Sequence, residues 1–493
     1  MNIINLAKDR MVIDLQSDIV LVLLNLENLI VEKPQQAEKK ILEACSKAEK
    51  LGDGCAQLLA TMQLARISWH LMQYKKGLRL CERAEQLLLP EFEAQYLAEL
   101  YHIYALQYWG LARFRSAHNF WNMAMEKSLV HNQMSIQIES LIGVANIWSI
   151  NQESELSYSA LSLAMTLAEQ FELNFLAGKS AILLASALCS LEQYSLMLEV
   201  LDKAAFFLQG CHDLAWHAQI QELKGQALLN LGRLSEAELA AYEASSIASS
   251  GRKNWLETSA PICAAQVAVE QLRFDKARQL LDTAESTALR FNQFELLAKL
   301  YRLRFELEEH LLQSECALRY YKKYRKYEVK FLQGQSIALG KDKCNLTVEV
   351  LNNKARHLIE RLEAEAFDAS ESGFAAFREP SIWLYSCERA SYQKNFHVFV
   401  FELNNDKDLI DFFPFAHTLC RRHEVITRFK NSCLAILFQL EDGQQSKMCD
   451  SLTAMLAAFP WWRDDENNHT HIVKHFYPAD FLSYLDNKEG CNL

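Results

Sequence analysis

Glycine and proline are scarce, 15 and 7 in 493 residues. A chain built of β-hairpins needs many such turn residues, and a collagen-like or low-complexity chain needs far more, so the composition argues against all three. The 13 cysteines include no CxxC pair, which gives no support to a zinc ribbon or a secreted disulfide framework and fits reduced thiols. Positive charge is not in excess either. Lys and Arg number 51 against 62 Asp and Glu, a formal net charge of −11, so no general nucleic-acid surface is expected. A membrane helix needs about 20 apolar residues. The most apolar early stretch, Ile19 to Leu24, is broken at once by Asn25, Glu27 and Asn28, and the first residues lack a signal-peptide pattern. No membrane insertion and a cytoplasmic location are expected. What is present is 50% hydrophobic and 23% charged residues, the make-up of a globular chain long enough for several cores.

The first two thirds carry a forty-residue period. Alanine recurs at Ala44, Ala84, Ala124, Ala164, Ala204, Ala244 and Ala284. Seven residues before each lies a second, mostly small series: Ala37, Gly77, Ala117, Ser157, Met197, Ala237 and Ala277, continued at Ala317. A third series twelve residues earlier holds Ala65, Ala105, Ala145, Ala185, Gly225 and Ala265. Small residues at fixed registers let helix backbones approach closely. Each unit therefore reads as two amphipathic helices, such as Leu58–Met72 and Lys75–Leu88 with a turn at Gln73-Tyr74, and Pro34 opens the second helix of the first unit. One hairpin cannot bury its apolar faces alone, so the units must stack.

These small-residue positions resemble the tetratricopeptide repeat, with Ala65, Gly77 and Ala84 in the places of its conserved small residues. Six extra residues per unit and the missing terminal Pro resemble the long-helix variety of bacterial signalling proteins. About eight units fit between residues 14 and 330, the last carrying Tyr324 in place of alanine. The resemblance implies a right-handed α-solenoid whose concave groove is lined by first-helix side chains: Arg66, Trp69, His102, Trp109, Asn146, Lys179, Ser186, Gln226 and Gln266. That mixture suits a peptide or protein partner. Trp69 and Trp109 read equally well as packing residues. In the stretch Arg319 to Lys330, Tyr320, Tyr324 and Tyr327 form a helical stripe with Phe331, expected to pack on the last repeat rather than to bind nucleic acid. Residues 331–367 continue as a polar helical connector, a relay or a strut, interrupted at Gly334 and Gly340.

From about residue 368 the pattern changes to α/β alternation. Residues 396–403 and 433–439 read as core strands, and 407–421 and 445–458 as helices. Arg428-Phe429 followed by Lys430-Asn431-Ser432-Cys433-Leu434 and Ala435-Ile436-Leu437 resembles the signature hairpin of the GGDEF domain of diguanylate cyclases. Ala479-Asp480, Tyr484, Lys488, Gly490 and Asn492 resemble that family's closing stretch. The signature glycines are replaced by Lys430 and Asn431, and its acidic residues by Ser432 and Cys433. The second metal position corresponds to Glu402, which alone cannot supply two-metal phosphoryl chemistry. Diguanylate cyclase activity is not expected. Arg421 and Glu424 stand where the family's product-inhibition site has Arg and Asp, which makes cyclic di-GMP binding an alternative to an ordinary charged helix end. His469, His471 and His475 form an HxHxxxH pattern that reads as loop histidines rather than a metal site.

No Walker loop, G-x-S-x-G or H-E-x-x-H motif occurs, and no cofactor is expected. The expected molecule is a non-catalytic adaptor with a helical-repeat solenoid at 1–330, a connector at 331–367 and a degenerate GGDEF-like domain at 368–493. A cyclic di-GMP receptor is the alternative, and an active diguanylate cyclase is the least favoured reading.

Overall fold

The forty-residue period becomes a stack of helical hairpins. In the computed structural model the described residues are 17–211, 213–251, 256–290, 293–369, 395–404, 425–429, 433–440, 443–459 and 471–487, together with Trp383, Cys387, Ala390, Asp408, Leu409, Phe412, Phe413, Phe415 and Ala416. They fall into two units, Met1–Ile359 and Glu360–Leu493.

The first unit is helical throughout. Hairpin one pairs a broken first helix, α1 (Asp18–Asn25) and α2 (Glu27–Glu32), with α3 (Pro34–Leu51). Hairpins two to four are α4 (Gly54–His70) with α5 (Tyr74–Leu87), α6 (Pro90–Gly110) with α7 (Phe114–Val130), and α8 (Met134–Ile150) with α9 (Ser154–Gln170). Hairpins five to seven are α10 (Asn174–Ser190) with α11 (Tyr194–Phe207), α12 (Leu214–Asn230) with α13 (Leu234–Gly251), and α14 (Leu256–Glu270) with α15 (Phe274–Arg290). Hairpin eight is α16 (Phe294–His310) with the long α17 (Ser314–Gly340). The tetratricopeptide-like solenoid expected from the repeats is the fold of this unit.

The three small registers lie where the backbones meet. Ala65, Ala105, Ala145, Ala185 and Ala265 are fully buried, as are Ala84, Ala124, Ala164, Ala204, Ala244 and Ala284. Gly77 allows an approach no side chain could: a Cβ there would stand 2.1 Å from Oε1 of Gln107, whose Nε2 donates to the Ala65 carbonyl. Each first helix packs closely on the next first helix, and the second helices do not approach one another as closely. First helices therefore line the inner side of the curve.

The turn of hairpin two lies at 71–73, not at Gln73-Tyr74, because α4 begins and ends earlier than the apolar pattern suggests. The turns follow one rule. Met72, Ala112, Gln152, Glu192, Gly232, Leu272 and Leu312 all have positive φ, between 54° and 73°, at forty-residue spacing. Each follows its first helix as a left-handed cap. In hairpin two the Gln73 amide then bonds back to the Ser68 carbonyl at 2.7 Å, closing the helix end.

Helix α17 runs through Gly334, which does not interrupt it, and stops at Gly340. Its Tyr320, Tyr324 and Tyr327 pack against the core of hairpins seven and eight beside Tyr301, as the stripe implied. Residues 341–347 then lead into α18 (Val348–Ala369).

The second unit is a four-stranded antiparallel sheet: β1 (Phe396–Glu402), β2 (Val425–Phe429), β3 (Cys433–Gln439) and β4 (Ile472–Phe476), in the order β2-β3-β1-β4. Helix α19 (Gln445–Ala458) joins β3 to β4, and α20 (Pro478–Asn487) follows. Asp408, Leu409, Phe412, Phe413, Phe415 and Ala416 are helical, between β1 and β2. Alternation along β1 sends Phe399 and Phe401 into one core with Phe412, Phe438 and Leu452, and Val398 and Val400 into another with Trp383, Leu437 and Phe481. Burial on both faces explains why Val398–Phe401 are all apolar rather than alternating.

Candidate partner-binding groove

Along the inner face of the first helices runs a row of charged side chains set one hairpin apart. Arg66 on α4 reaches toward Glu27 on α2 (3.9 Å) and Glu99 on α6 (3.6 Å). Next comes His102 on α6, and then Lys179 on α10, whose Nζ donates to Oε2 of Glu139 on α8 at 2.6 Å. Farther along, Ser259 on α14 donates to Glu222 on α12 at 3.0 Å.

The environment sets these charges. Burial pushes His102 down to about 4, against the opposing pull of Glu139, so the imidazole is neutral at pH 7. Its Nδ1 is buried without a hydrogen-bond partner. Burial also raises Glu139, but Lys179 beside it outweighs this and holds the carboxyl below its ordinary value. Glu222 lacks so close a cation. Burial raises it to about 7, against the Ser259 bond and the more distant Lys299. The wall thus sets the fixed charges of Lys179 and Glu139 beside a neutral imidazole at His102 and, at Glu222, a carboxyl that titrates near neutral pH.

Of the groove residues expected from sequence, Arg66, His102 and Lys179 belong to this row. Asn146 and Gln226 are half-buried, and Ser186 and Gln266 are exposed on their first helices. The two tryptophans are half-buried, each with ring neighbours in its own hairpin. Trp69 lies against Tyr74 (5.4 Å between ring centroids), and Trp109 sits between Phe114 (5.2 Å) and Trp121 (5.7 Å) of its own hairpin. Sequence reading missed Glu99, Glu139 and Glu222. The signal for the first two was there, since Glu99, Glu139 and Lys179 occupy one forty-residue register.

In the second unit, Glu402 ends β1 opposite Cys433 of β3, and its carboxylate accepts from Lys474 of β4 at 2.5 Å. A cation of the chain stands on the one carboxylate that the resemblance offers to a metal. Arg421, Glu424, Lys430, Asn431, Ser432 and His469 lie outside the described residues, as do Lys488, Gly490 and Asn492. Of the other two histidines of the HxHxxxH pattern, His471 lies just before β4, outside any strand, whereas His475 is not in a loop but on β4. They take separate partners, His471 beside Asp408 (3.7 Å) and His475 beside His397 (3.0 Å). Among the described residues no group of three or more His, Cys, Asp or Glu is placed to hold a metal. None of the described helices is long and apolar enough to cross a membrane.

No protein-family model matches the chain, and no curated protein does. Solved structures do. The chain is similar to a Rap protein complexed with competence and sporulation factor, at 16% identity over 71% of this chain and 99% of that one, with a TM-score of 0.50. It is also similar to NprR in complex with its cognate peptide NprX, at 13% identity over 71% and 99%, TM-score 0.47. A third is the Rap conjugation gene regulator of the plasmid pLS20 in complex with the Phr* peptide, at 17% identity over 58% and 79%, TM-score 0.46. At that identity the likeness to the Rap protein shows the fold alone, a helical-repeat solenoid.

Proposed function

We propose that the protein is a non-catalytic cytoplasmic adaptor whose solenoid binds a peptide or protein segment along its inner groove. The carrying observation is the charged row Arg66–Glu99, Glu139–Lys179 and Glu222–Ser259. Ion pairs half-withdrawn from water seldom stabilise a fold more than apolar packing of the same volume. Two such pairs along the concave wall, Arg66–Glu99 and Glu139–Lys179, continued by the Ser259–Glu222 bond, are better explained by recognition, where charged groups set the register of an extended partner. The similar Rap protein, whose complex holds competence and sporulation factor, accords with a solenoid of this kind carrying a ligand.

The second unit we read as a docking or regulatory module derived from a GGDEF domain. Its β-α-β-β-α-β order, with the β2–β3 hairpin where the signature falls, supports that descent. The Lys474 cation on Glu402 supports loss of metal-dependent chemistry. The cyclic di-GMP reading at Arg421 and Glu424 rests on sequence alone. Calorimetric titration with cyclic di-GMP, and separately with GTP and Mg²⁺, tests both points: the adaptor reading expects no turnover of GTP, and turnover lost on Glu402→Gln would refute it.

A further inference from the structure

A solenoid is quasi-one-dimensional, each repeat touching only its neighbours. This one departs from that rule where the chain leaves hairpin eight. After hairpin eight, residues 341–359 return to hairpins three and four. Asp342, buried, accepts from the backbone amides of Arg115 (2.8 Å) and Ser116 (3.2 Å), 227 and 226 residues away, and from the Ser116 hydroxyl. Its backbone carbonyl accepts from Arg115 Nη2 at 3.2 Å. Helix α7 has no side-chain cap of its own at Arg113, so Asp342 supplies one from the far end of the solenoid.

Helix α18 continues the contact. Leu351 offers its carbonyl to Asn122 Nδ2 at 3.0 Å. Asn352 accepts from Trp148 Nε1 at 2.9 Å and donates to Glu153. Lys354 pairs with Glu126 at 2.6 Å. Leu351, Ala355, Leu358 and Ile359 are buried. The register of Asn122 shows that this covering is local. Glu82, Asp202, Tyr242 and Asp282 occupy the same place on other second helices and are exposed, whereas Asn122 is fully buried.

We propose that residues 341–359 are an intramolecular clasp that closes the solenoid on itself and sets the width of the inner groove. An open stack of hairpins flexes like a spring, because each joint adds a small rotation to the next. A contact between hairpins three and four and the chain leaving hairpin eight removes that freedom. Helix α8 joins clasp to groove, carrying Glu139 of the groove row and, toward its other end, Trp148 under Asn352. A ligand that shifts α8 must therefore work against the clasp, and releasing the clasp loosens the groove. The consequence for ligand rests on the groove reading, but the closure does not.

The test uses the full-length chain without ligand, so it is unaffected if the groove reading fails. Amide exchange and small-angle scattering would be compared for wild type, Asp342→Ala and Asn352→Leu, each checked by circular dichroism for native helix content. The clasp predicts exchange at Arg115 and Ser116 at least about tenfold faster in Asp342→Ala, with a larger radius of gyration in both variants. Unchanged exchange would mean that the contact does not hold in solution, and faster exchange at constant radius that it is only a local cap. Either result overturns the proposal. If Asp342→Ala loses helix content, the radius of Asn352→Leu decides alone.

Discussion

Lys179 and Glu139 occupy the same place on successive first helices, forty residues apart, and meet at 2.6 Å with about a quarter of each side chain exposed. One residue register thus becomes a bond that ties hairpin to hairpin along the groove wall. Removing one partner strands the other in a partly desolvated site. Lys179→Met is expected to cost about 2 kcal/mol, less than a fully buried pair because water still screens the site. Adding Glu139→Leu should recover most of it. Urea midpoints of the single and double variants check this.

The left-handed turns give a second expectation. Met72, Leu272 and Leu312 hold positive φ while their side chains are 77%, 72% and 89% exposed, so packing does not repay the strain. A left-handed non-glycine residue costs about 1–2 kcal/mol, part of which glycine returns through its greater freedom in the unfolded chain. Replacing each with glycine should stabilise by about 0.5–1 kcal/mol, read as a raised melting temperature.

At Gly143 the opposite holds. A Cβ there would lie 2.2 Å from the Trp121 ring, which fills the space between α7 and α8. Gly143→Ala should destabilise by about 1–3 kcal/mol through overpacking, despite alanine's better helix propensity. Thermal melts of the two proteins decide.

The pH dependence has two opposed parts. Burial pushes His118 down from 6.5 to about 4, so between those values the unfolded chain takes up a proton that the folded state refuses, and stability falls as the solution is acidified. Burial pushes Glu222 up from 4.5 to about 7, so over that range the folded state keeps a proton the unfolded chain has released, and stability falls as pH rises. Each is worth about 3 kcal/mol at full extent. Glu222→Gln should therefore gain on wild type from pH 4.5 to about 7 and level off above that, and His118→Phe should gain from pH 6.5 down to about 4. Denaturation at four pH values separates them.

The hairpin stack is legible in the sequence because Ala65, Ala84, Gly77 and their repeats must be small wherever backbones meet. The turns are not, since the conformation that most often demands glycine is held here by Met72, Ala112, Gln152 and Leu312. Lys179 is legible as a groove residue, and its forty-residue register leads back to Glu139, which stands among the apolar residues of α8. Trp69 and Trp109, inviting as binding residues, are held in their own hairpins by Tyr74, Phe114 and Trp121. Strand β4 escapes notice because His471 and His475 suggest a ligand pattern, whereas their spacing is also that of one face of a strand. The clasp lies beyond any local pattern, for nothing near Asp342 in the chain announces Ser116.

The most direct measurement is selection of a random peptide library on the immobilised full-length protein, followed by titration of the enriched peptides against wild type, Lys179→Met, Arg66→Ala and Glu402→Gln. The account predicts peptides that compete with one another, lose at least about tenfold affinity on Lys179→Met or Arg66→Ala, a loss of about 1.4 kcal/mol, and bind Glu402→Gln as they bind wild type. Enriched peptides that bind all four proteins equally would contradict it, as would a folded protein that enriches none.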